Sequence, residues 1–194
     1  MGQKLILFDC YGTLLSIRQN TAYASLFGYL GLSVREQAHR IKTSQTSWVD
    51  YARSLGRKVD AARAHALFET ALAADMELIR PYADSLDTLE TLHEQGVPMA
   101  LLSNLGPGYD RSIRQWLPTW LPCFLSFEMG CRKPHPEAFQ HVCARMGADP
   151  QGVVLVDDKQ VNLDAARRLG MEGLLVQRQA GSPPLMAQLA PFLV

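Results

Sequence analysis

The sequence is poor in cysteine and has no apolar run long enough to cross a bilayer. Its four cysteines, Cys10, Cys123, Cys131 and Cys143, form no CxxC pair and show no metal-ligand spacing. An even number leaves a disulfide framework open, but a chain of 194 residues can build its own core. Reduced, mostly buried thiols in a cytoplasm are the expectation. A surplus of one charge is also missing: 19 basic and 19 acidic residues cancel. This argues against a nucleic-acid partner, because neutralising phosphates needs excess Lys and Arg. With 14 glycines and 11 prolines at no fixed period, collagen-like and coiled-coil classes drop out as well. The short apolar run within Met1 to Phe8 meets Asp9 at once and lacks a small-residue cleavage site, so it reads as a buried strand and not a signal peptide. No membrane partner is expected, and the oligomeric state leaves no mark in the sequence.

What remains is a composition of 47% hydrophobic and 20% charged residues, ordinary for a soluble globular domain with a modest insertion. Short, nearly continuous apolar runs occur at Lys4 to Phe8, Pro98 to Leu102, Phe124 to Phe127, Val153 to Val156 and Gly173 to Val176. Strands buried on both faces look like this. Helical stripes separate them: Leu86, Leu89 and Leu92; Phe139, Val142, Cys143 and Met146; Val161, Ala165 and Leu169. Gly96, Gly147 and Gly170 stand as their stops. Alternation of this kind predicts an α/β fold of parallel βαβ units. From Ile17 to Arg80 no strand is convincing, and apolar residues recur at helical spacing, which predicts two to four inserted helices. The inserted segment, residues 17–80, holds nine basic and six acidic residues. Chance on a solvated surface explains most of these; a basic lid over an acidic site for an anionic substrate is the functional alternative.

In open parallel sheets, ligands sit beyond the carboxyl ends of the strands. Asp9-Cys10-Tyr11-Gly12-Thr13-Leu14 follows the first strand and Ser103-Asn104 the second. Arg132-Lys133-Pro134 comes after the third, and Asp157-Asp158-Lys159 after the fourth. Singly each is ordinary turn, cap or surface chemistry. In this order they converge on one rim.

The order and residue types resemble the haloacid dehalogenase-like hydrolase superfamily, in its branch with a small helical cap (C1-type). The similarity runs from Leu5 to Val176. It implies a Rossmann-like core over residues 1–16 and 81–194 and a helical cap over 17–80. It also implies that Asp9 is a carboxylate nucleophile. A carboxylate can attack phosphorus or carbon to give a covalent intermediate that water then hydrolyses. Lys133 would supply a cation that also keeps Asp9 ionised, with Ser103 and Asn104 as neutral donors. Asp9, Asp158 and the backbone carbonyl of Tyr11 are hard oxygen ligands suited to Mg²⁺, with Asp157 orienting metal-bound water. Asn162 and His135 are weaker candidates.

One position departs from the pattern. Phosphatases similar to this chain carry a second Asp two residues after the nucleophile, as general acid and base; here Tyr11 stands there. A phenol donates a hydrogen bond at neutral pH but is a poor base. Tyrosine there is similar to the 2-haloacid dehalogenases, which use no metal and have Ser-Ser-Asn in place of the acidic pair. The retained Asp157-Asp158 pair weighs more, because adjacent carboxylates need a compensating cation. The expectation is a Mg²⁺-dependent phosphatase acting on a small anionic substrate. The alternatives are a carbon–halogen hydrolase using Asp9 and a cap arginine (Arg18, Arg35 or Arg40), or a binding module that has lost turnover.

Overall fold

The structure, a computed structural model, describes residues 3–193; Met1 and Gly2 of the first apolar segment lie outside them. The chain runs β1 (Leu5–Phe8), β2 (Leu15–Ser16), α1 (Ala22–Leu30), α2 (Val34–Thr43), α3 (Trp48–Ser54), α4 (Ala61–Met76) and β3 (Arg80–Pro81). It continues through α5 (Ser85–Glu94), β4 (Met99–Ser103), α6 (Asp110–Trp116), β5 (Cys123–Leu125), α7 (Ser126–Met129) and α8 (Pro136–Met146). The last elements are β6 (Val153–Asp157), α9 (Gln160–Arg168), β7 (Glu172–Leu175) and α10 (Leu185–Leu189).

Five strands form a parallel sheet in the order β5-β4-β1-β6-β7. The three central strands are buried along their whole length, which is why they read as unbroken apolar runs. Strand periodicity sends Ile6, Phe8 and Val156 into one apolar layer and Leu5, Leu7 and Leu155 into the other. The second layer is closed by Phe139 and Val142 of α8 and by Leu163 and Ala166 of α9. This is the Rossmann-like arrangement expected from the sequence. Because β1 lies between β4 and β6, the chain leaves it toward opposite neighbours, and a crevice opens at their carboxyl ends.

Four helices, α1 to α4, lie between β2 and β3 among the described residues. Side-chain caps start three of them: Ser33 accepts from Glu36 N–H, Ser47 from Asp50 N–H, and Asp60 from Ala62 and Arg63 N–H. The short β2–β3 ladder was not anticipated; it pairs Leu15 with Pro81 and Ser16 with Arg80 at the neck of the insertion. Two residues per strand are too few to show a period.

Two details differ from the sequence reading. The third strand stops at Leu125, and Ser126 to Phe127 turn into α7. Ser126 Oγ accepts from Leu105 N–H at 3.1 Å and donates to the Leu105 carbonyl at 3.2 Å, which draws the chain out of the ladder. In α9 the buried face is Asn162, Leu163, Ala165 and Ala166, while Val161 is 58% exposed. The rotation brings Asn162 to Asp157, as described below. The four cysteines are free, Cys10 and Cys143 buried and the other two half-buried. No helix among the described residues is long and apolar enough to cross a membrane.

Candidate active site

Three strand ends and one loop build the site. Asp9 follows β1, Ser103 and Asn104 end and follow β4, Asp157 ends β6, and Lys133 arrives on the loop between α7 and α8. Lys133 is the centre: it is 1% exposed, and its Nζ donates to Asp9 Oδ1 at 2.6 Å and to Asp157 Oδ2 at 2.7 Å. A lysine this deep is retained only when paired. Burial works against its charge, but Asp9 and Asp157 outweigh burial and hold it above the ordinary lysine value.

Asp9 behaves differently from the sequence reading, in which the lysine keeps it readily ionised. Burial pushes its carboxyl up to about 6; Lys133 offsets part of the rise and the charge of Asp157 adds to it. At neutral pH the carboxylate still predominates, with less margin than an exposed aspartate has.

The other site residues divide by what their polar atoms are doing. Both Asp157 oxygens are occupied, by Lys133, by Asn162 Nδ2 at 2.9 Å to each, and by the Lys159 backbone N–H at 2.9 Å. Asn104 is also spent: it accepts from Lys133 N–H at 2.9 Å and donates to the Lys133 carbonyl at 2.7 Å, locking the lysine's backbone. Ser103 is buried beside the Cys10 thiol. Tyr11 hydrogen-bonds through its hydroxyl to Ser112 Oγ at 2.7 Å and to the Tyr109 carbonyl at 3.1 Å, and burial pushes its ionisation up. His135 stands at the N-cap position of α8 without a side-chain cap bond and packs edge-on against His39 of α2, 6.2 Å between ring centres.

Two buried carboxylate oxygens have no hydrogen-bond donor: Asp9 Oδ2 and Asp158 Oδ1. The second lies 3.3 Å from Lys159 Nζ but out of line for a hydrogen bond. Asp9, Asp157 and Asp158 each bring an oxygen within 4.8 Å of the others. Buried carboxylate oxygens without a hydrogen-bond donor are costly alone and fit a hard divalent cation. The turn after Asp9 is shaped for the same approach. The N–H groups of Thr13, Leu14 and Leu15 converge on the Cys10 carbonyl, and Gly12 has φ +87°. A side chain on Gly12 would collide with Asp158 Oδ2, so only glycine lets the turn meet the acidic pair.

Beside this floor is a cavity of about 280 Å³, reached by Tyr11, Asn104 and Lys159 from the sheet side and by Ile17, Ile41 and Lys42 from the insertion. The sequence reading missed Lys42, one basic residue among nine in its segment. Arg18, Arg35 and Arg40 do not line this cavity; Arg40 lies over the Tyr51 ring at 4.6 Å. Arg178 was missed too. From beyond β7 it donates to the Thr13 carbonyl at 2.8 Å, to Asp84 Oδ1 at 2.6 Å and to Ser85 Oγ at 3.1 Å, bracing the turn behind Asp9.

Comparison with known proteins gives a consistent family. Residues 3–170 match the family model described as haloacid dehalogenase-like hydrolase. An (S)-2-haloacid dehalogenase of Burkholderia cepacia is 26% identical over 93% of this chain and 85% of its own length. A phosphoglycolate phosphatase of Pseudomonas putida is 29% identical over 93% of this chain and 72% of its own. Among solved structures, a HAD family enzyme of Bacteroides thetaiotaomicron, in complex with magnesium and inorganic phosphate, shares the fold. Its TM-score is 0.67 at 21% identity, covering 96% of this chain and 99% of the other. With the family match spanning four of the five strands of the sheet and every strand-end residue described above, the chain belongs to the haloacid dehalogenase-like hydrolases.

Proposed function

We propose that the protein is a Mg²⁺-dependent phosphatase of a small phosphorylated metabolite, working through an aspartyl-phosphate on Asp9, with the insertion over residues 17–80 as its cap. The observation that carries this reading is the pair of oxygens without a hydrogen-bond donor, Asp9 Oδ2 and Asp158 Oδ1, the second only ion-paired to the exposed Lys159, beside a third carboxylate that is already fully hydrogen-bonded. Asp9, Asp158 and the Tyr11 carbonyl would hold the metal, and Asp157, whose oxygens are taken by Lys133, Asn162 and the Lys159 N–H, would fix Lys133 beside it rather than orient a metal-bound water. When bound, the cation supplies positive charge that offsets the repulsion between an anionic nucleophile and an anionic phosphate. Metal-free displacement of halide gives no use for that acidic group.

The chain's own residues account for the rest. Asp9 attacks phosphorus, the bond to the leaving oxygen breaks, and water hydrolyses the acyl phosphate in a second step. Lys133, fixed through its backbone by Asn104, holds Asp9 in line and places positive charge beside the nucleophile. Ser103 backs the site from the end of β4. Tyr11 is no general base, because its hydroxyl is committed and its ionisation is raised; the leaving group departs with a proton from water. Esters with good leaving groups and acyl phosphates are therefore favoured over alkyl phosphates.

Tyr11 and the dehalogenase relative support carbon–halogen hydrolysis as a second reading. One experiment separates the two: turnover of acetyl phosphate and p-nitrophenyl phosphate with Mg²⁺, and of 2-chloropropionate without it, for the wild type and Asp9→Asn. The expected result is phosphate release abolished both by EDTA and by Asp9→Asn. Equal turnover with and without chelator, or chloride release in metal-free buffer, overturns the phosphatase reading.

A further inference from the structure

Tyr23, near the start of α1, stands between two cavities. It lines the one beside Asp9, about 280 Å³, together with Ile17, Ile41 and Tyr109. It also lines a larger one of about 440 Å³, built from Leu26, Trp48 and Phe68 of the insertion and from Pro107 and Gly108 of the core. A side chain that merely filled the core would meet packed neighbours on every side. This one is only 8% exposed, yet it meets open space twice.

The ring is held from several directions. Its hydroxyl donates to the Pro107 carbonyl at 2.9 Å, tying α1 across to the loop after β4. Burial pushes its ionisation up, so the hydroxyl remains a donor. The ring stacks with Tyr109, of the first cavity, at 6.3 Å between centres, and meets Phe68, of the second, edge-on at 5.2 Å. Phe27 adds a further edge-on contact at 5.8 Å. The core loop closes what the ring leaves open. A side chain on Gly106 would meet Ile41 Cγ2 at 2.6 Å and Tyr23 Oη at 2.7 Å, so bare backbone packs against both. The smaller cavity, about 280 Å³, equals the liquid volume of about nine water molecules. That is room for a phosphate and a few further heavy atoms, and a longer chain directed at Tyr23 stops at the ring.

We propose that Tyr23 is a specificity-determining residue, a fixed wall that limits the substrate to the length of the cavity beside Asp9 and keeps it out of the larger cavity behind. This rests on the phosphatase reading for the group placed above Asp9, the phosphate. The limit itself comes from shape and asks nothing of the charge on the rest of the substrate.

Phosphonates of different length, which are not hydrolysed, test it. In Mg²⁺ buffer, calorimetric titration would compare ethylphosphonate with octylphosphonate on the wild type, Tyr23→Ala, Tyr23→Phe and Trp48→Leu. Acetyl phosphate hydrolysis would be assayed on the same preparations. For the wild type, octylphosphonate is expected to bind no more tightly than ethylphosphonate. Opening the wall in Tyr23→Ala should give the octyl chain an advantage of about tenfold or more, since each methylene newly buried is worth about fourfold. Tyr23→Phe keeps the ring and should keep the wild-type ratio. Trp48→Leu trims the larger cavity without touching the wall and should keep it too. Thermal melting reports whether each variant is folded, and Tyr23→Leu replaces Tyr23→Ala if the latter is not. An octyl advantage of that size in the wild type or in Tyr23→Phe overturns the proposal. So does an unchanged ratio in the opened variant, or an equal gain in Trp48→Leu. A length limit that follows Tyr23 without hydrolysis of acetyl phosphate upholds the wall and sinks the phosphatase reading; hydrolysis with no dependence of length on Tyr23 does the reverse. Absence of phosphonate binding overturns the proposal, and absence of hydrolysis with it overturns both.

Discussion

Asp9 is asked to be an anion at the floor of a nearly dry pocket, and its environment divides on the request. Burial and Asp157 push its ionisation up to about 6, while Lys133 resists. The folded value therefore lies above the unfolded one, near 3.8. Between these values the folded protein holds a proton that the unfolded chain has released. The stabilisation from this group is thus fully present below about 3.8 and is lost as pH rises through 6. A divalent cation competes with that proton, so Mg²⁺ should raise the melting temperature clearly at pH 7.5 and far less at pH 5. Melting curves at the two pH values, with and without metal, check the sign; an equal shift at both contradicts it. The gathering of Asp9 and Asp157 at strand ends with Lys133 from a loop was legible because it follows from residue type and order along the chain. The commitment of Asn104 to Lys133, and of Tyr11 to Ser112, was not. Those bonds depend on side-chain directions set by contacts 29 and 101 residues apart.

Among the elements, the turn from Asp9 to Leu14 matters most, because it must present a carboxylate and meet Asp158 at once. Its inner support is local, three N–H groups on the Cys10 carbonyl. Its outer support is Arg178, whose guanidinium is also tied to Asp84 and lies 4.6 Å from the centre of the Tyr82 ring. Asp84 in turn accepts from Leu185 N–H at 2.5 Å, which joins the start of α10 to the same brace. Replacing Arg178 by Ala should destabilise the protein by about 2–3 kcal/mol, the worth of hydrogen bonds to a charged group. It should also lower kcat by ~10²-fold through misplacement of the nucleophile. Arg178→Lys should rescue little, since an ammonium cannot span three acceptors as a planar fork does. Urea denaturation and steady-state kinetics measure both effects. The core strands and α8 were readable because burial on both faces and a Pro-to-Gly frame leave strong patterns. The end of β5 was not, because Ser126 is decided by Leu105, 21 residues away.

Across the whole molecule, two of the polar ties between the insertion and the core are unequal. Glu69 and Arg111 form an exposed two-bond pair at 2.6 and 2.9 Å. Asp75 is fully buried and accepts from Thr21 N–H and Oγ1, from Ala22 N–H, and from the Tyr109 hydroxyl at 2.5 Å. It thereby joins the end of α4 to the start of α1 and to the core. Asp75→Ala should cost about 3 kcal/mol, whereas Glu69→Gln should cost less than ~1 kcal/mol. Equilibrium urea unfolding of the two variants tests the contrast. The chain passes from core to insertion and back through one ladder, Leu15 beside Pro81 and Ser16 beside Arg80. All five parallel strands and the carboxylates Asp9, Asp157 and Asp158 lie outside that doorway, so residues 17–79 can be lengthened or exchanged without cutting any strand of the sheet.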